Sequence, residues 1–181
     1  MPFVIAFVPA RGDFMREQII RECQCLLDQA MLRTRHCVKQ LTFEQLWWRP
    51  GPDQNSIGIV LRHITGNLRQ WAICGLTGAA DHRDRAEEFE SETRPTAQEL
   101  LAGLEAVVAD VGRTMQGLSE EQLMQERTIQ GFCVSGLGAL LHTIPHFVGH
   151  THQIVALTRM QLGAQYQFHW TPESPRDVVP L

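Results

Sequence analysis

Residues 135–163 read SGLGALLHTIPHFVGHTHQIVALTRMQLG, and this stretch decides the fold class. Leu137, Leu140, Leu141, Ile144, Val148, Val155 and Leu162 recur at helical spacing and fall on one side of an ideal wheel. Ser135 is placed to cap the start and Gly163 to close the end, so the segment is expected to form one long helix. It is far too long for a strand. His142, His146 and His150 form a row that the wheel sets nearly opposite the apolar stripe. Leu157 and Met160 continue that row, which predicts a helix covered on two sides. Pro145 cannot donate to the carbonyl of Leu141 and is expected to kink the helix just before His146.

Working outward, three more segments carry the same period. From Phe14 to about Gln40, Ile19/Ile20, Cys23, Leu26/Leu27, Ala30/Met31 and Cys37/Val38 mark a first helix. Ser56 caps a second, with Ile57, Val60/Leu61, Ile64, Leu68 and Trp71 on one face, running to about Thr77. Thr96 and Glu99 form a capping box for a third, whose stripe is Leu100/Leu101, Leu104, Val107/Val108, Val111 and Met115 and which Gly117 closes. Short capped turns are expected at Thr42–Leu46 and, in an echo of it, at Ser119–Leu123. The stretch 81–94, DHRDRAEEFESETR, is densely charged and reads as a solvated connection. No period-two run is long enough to build a sheet, so the expected architecture is an all-α four-helix bundle with long connections between helices. Residues 1–14 read as an N-terminal extension, 15–163 as the bundle, and 164–181 as a tail laid on or near it.

Composition narrows the partners. The chain has 181 residues, 44% hydrophobic and 20% charged, which suits one globular domain whose folding buries roughly 70% of the unfolded surface. A net charge of −4 provides no basic surface to neutralise a phosphate backbone, so nucleic acid is not an expected partner. The apolar start, Met1–Val8, lacks a basic flank and is too short to cross a bilayer, so no membrane association is expected. Five cysteines without a Cys-x-x-Cys spacing fit reduced, mostly core thiols and a cytoplasmic setting.

Eight histidines against one tyrosine direct the functional reading. His146 and His150 are four apart, so on a regular helix one stands above the other and both reach a single ion. His142 and His146 have the same spacing, and the spacing alone does not choose between the two pairs or exclude purely structural histidines. His152 lies about 200° around the helix from His150 and cannot share an ion with it. His63, at the edge of the stripe on the second helix, is a third candidate that can look into a groove between helices. Three histidines from two helices would leave coordination positions open, as catalytic sites require.

Two blocks carry a family resemblance. Residues 41–71, LTFEQLWWRPGPDQNSIGIVLRHITGNLRQW, place Asn55-Ser56-Ile57 before His63 and Gly66-Asn67 after it. Residues 146–163, HFVGHTHQIVALTRMQLG, hold a His-x-x-x-His pair, a Gln-Ile and a later Leu-Gly. With the Arg83-Asp84-Arg85-Ala86-Glu87-Glu88-Phe89 connector, the chain from Met15 to about Trp170 resembles the DinB/YfiT-like superfamily of four-helix metalloproteins, in a branch defined only as a domain of unknown function. Thr151-His152 after the pair, and Pro145 within the helix, depart from the family pattern.

The resemblance implies His63, His146 and His150 as metal ligands, with zinc or nickel as the leading ions and iron or copper as other imidazole-compatible choices. It further implies a metal-dependent enzyme of thiol-transferase or hydrolase type, acting on a small molecule or a low-molecular-weight thiol; a homodimer is a separate expectation. No side chain nominates itself as general base. Asn67 can orient a ligand or serve as a buried polar tie. The alternative is a non-catalytic metal-binding or stress-related bundle.

Overall fold

The computed structural model describes residues 11–169. Its elements in chain order are α1 (Arg11–Val38), α2 (Phe43–Trp47), α3 (Ile57–Leu68), a π-helical turn (Arg69–Cys74), α4 (Gly75–Thr77), α5 (Arg85–Glu90), α6 (Ala97–Gly117), α7 (Glu120–Met124), β1 (Glu126–Ile129), β2 (Phe132–Ser135), α8 (Gly136–Leu162) and a 3-10 turn (Gly163–Gln165). The four long helices are α1, α3 with its continuation through α4, α6 and α8. Each of α3 and α1 packs against both α6 and α8, so the four form a square in which α1 and α3 are diagonal.

The expected caps are present. Ser56 accepts from the backbone N–H of Ile59 at the start of α3, and Ser135 accepts from Gly138 at the start of α8. Thr96 with Glu99, Thr42 with Gln45 and Ser119 with Gln122 each form a reciprocal capping box, satisfying donors that a helix start leaves bare. Leu27, Leu61, Ile64, Leu68, Leu104, Met115, Leu140, Ile144 and Phe147 meet in the centre with essentially no exposure. Of the cysteines, Cys23 and Cys37 are buried, whereas Cys25 and Cys133 are exposed; all five are free thiols.

The bundle corrects four expectations. First, a two-stranded antiparallel hairpin, β1–β2, stands before α8. Its turn is Gln130-Gly131, both at positive φ (51° and 82°), the two-residue geometry that suits strand twist. Strands this short show no sustained alternation, and their outward residues include exposed Phe132, so patterning did not reveal them.

Second, the buried face of α8 is rotated from the one the wheel gives. Leu141 is 60% exposed, while Thr143, Thr151 and Thr158 are buried beside Leu140, Ile144, Phe147, Ile154 and Leu157. Thr151 and Thr158 bury their hydroxyls by donating to the carbonyls of Phe147 and Ile154, four residues back, at 3.0 and 2.8 Å. So satisfied, threonine packs as an apolar residue although its type counts as polar. His146 and His150 therefore border the buried stripe and are not opposite it. The helix itself continues through Pro145 from Gly136 to Leu162.

Third, the connector 81–94 is not simply solvated. It contains α5, capped by Asp84, and it buries Glu88. Fourth, the first helix begins at Arg11, earlier than the start expected near Phe14. Residues 1–10 and the Pro-rich tail from Trp170 onward lie outside the described residues.

Candidate metal centre

His63 is brought to α8 by the contact between α3 and α8. Within that contact Thr143 donates to Asn67 Oδ1 at 2.7 Å, and both side chains are buried. Asn67 lies one turn beyond His63 and Thr143 about one turn before His146, so this bond sets the height at which the two histidines meet. Asn67 is thus a tie between helices.

The three ring systems converge. His63 Nε2 stands 3.0 Å from His146 Nε2, and one ring nitrogen from each of His63, His146 and His150 can be chosen so that all three lie within 4.8 Å of one another. The His63 ring centroid is 5.2 Å from that of His146 and 5.1 Å from that of His150, and His146 to His150 is 4.4 Å. His63 is 9% exposed; His146 and His150 are half-buried. Two nitrogens each about 2.0–2.1 Å from one ion, at angles between octahedral and tetrahedral, stand roughly 2.9–3.4 Å apart. The 3.0 Å separation falls in that range, and a donor set of neutral imidazoles suits a first-row divalent ion.

The electrostatics favour neutral rings at His63 and His146. Burial lowers the His63 pKa below the ordinary histidine value, with Glu88 pulling the other way and the positive charge of Arg83 and any on His150 adding to the depression. His146 is pushed down to about 4, chiefly by burial and then by the neighbouring histidines. A ring that resists protonation keeps a lone pair available for an ion.

Behind His63 lies a charged pair that sequence reading missed. His63 Nδ1 is 3.1 Å from Glu88 Oε2. Arg83 grips both oxygens of that carboxylate, Nε to Oε1 at 2.6 Å and Nη2 to Oε2 at 2.8 Å, and donates from Nη1 to Gln70 Oε1 at 2.8 Å. Both side chains of the pair are buried. Gly66 makes room for it, since a Cβ there would stand 1.9 Å from Glu88 Oε1. The Arg-Asp-rich connector and Gly66 were visible only as parts of a family pattern; the signal for their role is a Gly three residues after the helix-borne His63, facing an Arg and a Glu five residues apart.

The other histidines stay outside the cluster. His142 is exposed and stacks on Trp71 with ring centroids 3.8 Å apart. The π-helical turn presents both Gln70 to Arg83 and Trp71 to His142, and Trp71 Nε1 donates to Gln130 Oε1 of the hairpin turn at 3.2 Å. Such turns are frequent near functional sites. His152 is exposed on a different side of α8. Among the described residues no helix is long and apolar enough to cross a membrane.

Residues 16–174 match the sequence profile of the family described as "Protein of unknown function (DUF1572)". The chain belongs to the DUF1572 family. As a DUF1572 protein it shares its fold with solved DinB-like structures. One from Bacillus subtilis superposes with a TM-score of 0.61 at 16% identity, covering 82% of this chain and 96% of that one. A DinB-like protein from Bacillus cereus gives 0.59 at 19% identity over 73% and 85% of the two chains. A conserved protein from Enterococcus faecalis gives 0.63 at 21% identity over 79% and 96%. At these identities the likeness establishes the helical bundle of the DUF1572 protein and nothing about its chemistry. No curated protein matches the sequence.

Proposed function

We propose that His63, His146 and His150 hold one divalent metal ion and that the protein is a metal-dependent enzyme of thiol-transferase or hydrolase type. The observation that carries this reading is the convergence of three imidazoles from two helices, with ring nitrogens within 4.8 Å. Three protein ligands leave positions free for a small molecule. A divalent ion bound there supplies Lewis acidity that lowers the pKa of a thiol or water near neutral pH.

The chain's own residues provide the rest. Burial keeps His63 and His146 neutral, and Asn67 with Thr143 fixes the helices that carry them. His146 and His150, half-buried, leave one side of the cluster open to an incoming molecule. Zinc or nickel is the favoured ion, iron or copper being compatible with the same donors. The free thiols support a reducing, cytoplasmic setting, and a homodimer is part of the same reading.

The test is consumption of low-molecular-weight thiols with model electrophiles, and hydrolysis of small esters and amides, by chelator-stripped protein before and after metal is restored. Turnover that appears only with metal and is lost in a His63→Ala variant supports the enzyme. Stoichiometric metal with no metal-dependent turnover across the panel would leave a metal-binding bundle.

A further inference from the structure

We infer that Glu88 is a positioning residue that sets the tautomer of His63. The Arg83 guanidinium directs two N–H groups at the two oxygens of Glu88, 2.6 and 2.8 Å away, so the carboxylate is acceptor-only. An acceptor-only oxygen 3.1 Å from His63 Nδ1 requires the proton to be on Nδ1. A neutral imidazole carries one such proton, which leaves Nε2 bare, and Nε2 is the nitrogen that faces His146 at 3.0 Å. Arg83 Nη2 lies 3.2 Å from His63 Nδ1 because both donate to the same Oε2, and no bond between them is needed.

Two further observations support a built arrangement. The pair is buried, and such a charge pair has to be fully satisfied to persist there. Gly66 on α3 leaves the space in which Glu88 Oε1 sits, so the helix that carries His63 is shaped to admit the carboxylate behind it. Fixing the second ring nitrogen of a ligating histidine orients the ring and raises its basicity, and loss of such a partner commonly weakens metal binding by about 10–100-fold. The tautomer stands on the geometry alone; its consequence for ion binding rests on the ligand reading above.

The experiment uses the full chain, stripped of metal and labelled with nitrogen-15, at pH 8. Long-range proton–nitrogen correlations report the imidazole tautomers, with the His63 signals assigned by their loss in His63→Ala. Protonated Nδ1 and bare Nε2 on His63 are expected; protonated Nε2 would overturn the assignment, and this readout needs no altered Glu88. Nickel(II) titrations of wild type and Glu88→Gln follow. In the variant the amide puts a donor against Arg83 and His63, so affinity should fall about 10–100-fold while the helical circular dichroism is retained. Equal affinity with an unchanged His63 tautomer would reduce Glu88 to a partner of Arg83. Wild type that binds no nickel would sink the ligand reading, and the tautomer result would still decide the role of Glu88.

Discussion

His63 Nε2 and His146 Nε2 stand 3.0 Å apart although 83 residues separate them in the chain. Two protonated nitrogens cannot face each other at that distance, so one proton or one ion lies between them.

The first consequence is a pH dependence of the metal-free protein. An unfolded histidine takes up its proton near pH 6.5, whereas folded His63 does so lower and His146 only at about 4. Between those values the unfolded state binds more protons, so stability rises with pH through the window. Stability from these two residues is fully present above about pH 6.5 and is lost progressively as pH falls toward 4. Urea midpoints of chelator-treated protein at pH 7.5, 6 and 5 should fall in that order, and the His63→Ala/His146→Ala variant should show a flatter profile. Parallel profiles would contradict the lowered values.

Gly66 and Gly103 should respond to alanine with opposite sign. Gly103 is exposed on α6 with nothing within 4 Å of a new Cβ, so Gly103→Ala should stabilise by about 0.5–1 kcal/mol through helix propensity. At Gly66 the same gain is set against displacement of the buried Arg83–Glu88 pair. Both partners remain in the variant but cannot keep their present positions beside His63, so Gly66→Ala should destabilise where Gly103→Ala stabilises. Thermal melts of the two variants check this.

Thr143→Val should cost about 2 kcal/mol, because Asn67 Oδ1 would be left buried without its donor. It should also weaken nickel binding, since that bond fixes the relative height of α3 and α8. A stability loss with unchanged nickel affinity would show that the helices hold their register without it.

Much of this architecture was legible in the sequence. Capping signals at Ser56, Thr96 and Ser135, joined to apolar stripes of helical period, gave the starts of three long helices to within a residue. The metal candidates were half legible. Four-residue spacing pairs His146 with His150 because it is local, but nothing local ties either to His63, whose place depends on how α3 packs on α8. The wheel misplaced the histidine row because it scored Thr143, Thr151 and Thr158 as polar, and burial of satisfied hydroxyls is a tertiary fact. Arg83 and Glu88 were hidden for the reverse reason. A charged run reads as solvated unless its charges find each other in the interior, and here they do so against Gly66.

The central claim is that His63, His146 and His150 together hold an ion. Elemental analysis of untagged protein tests it most directly, with wild type compared against His63→Ala/His146→Ala/His150→Ala and against His142→Ala. About one equivalent of a divalent metal is expected in wild type and in His142→Ala, whose ring stacks on Trp71 outside the cluster, and none in the triple variant. Equal metal content in wild type and the triple variant would contradict it.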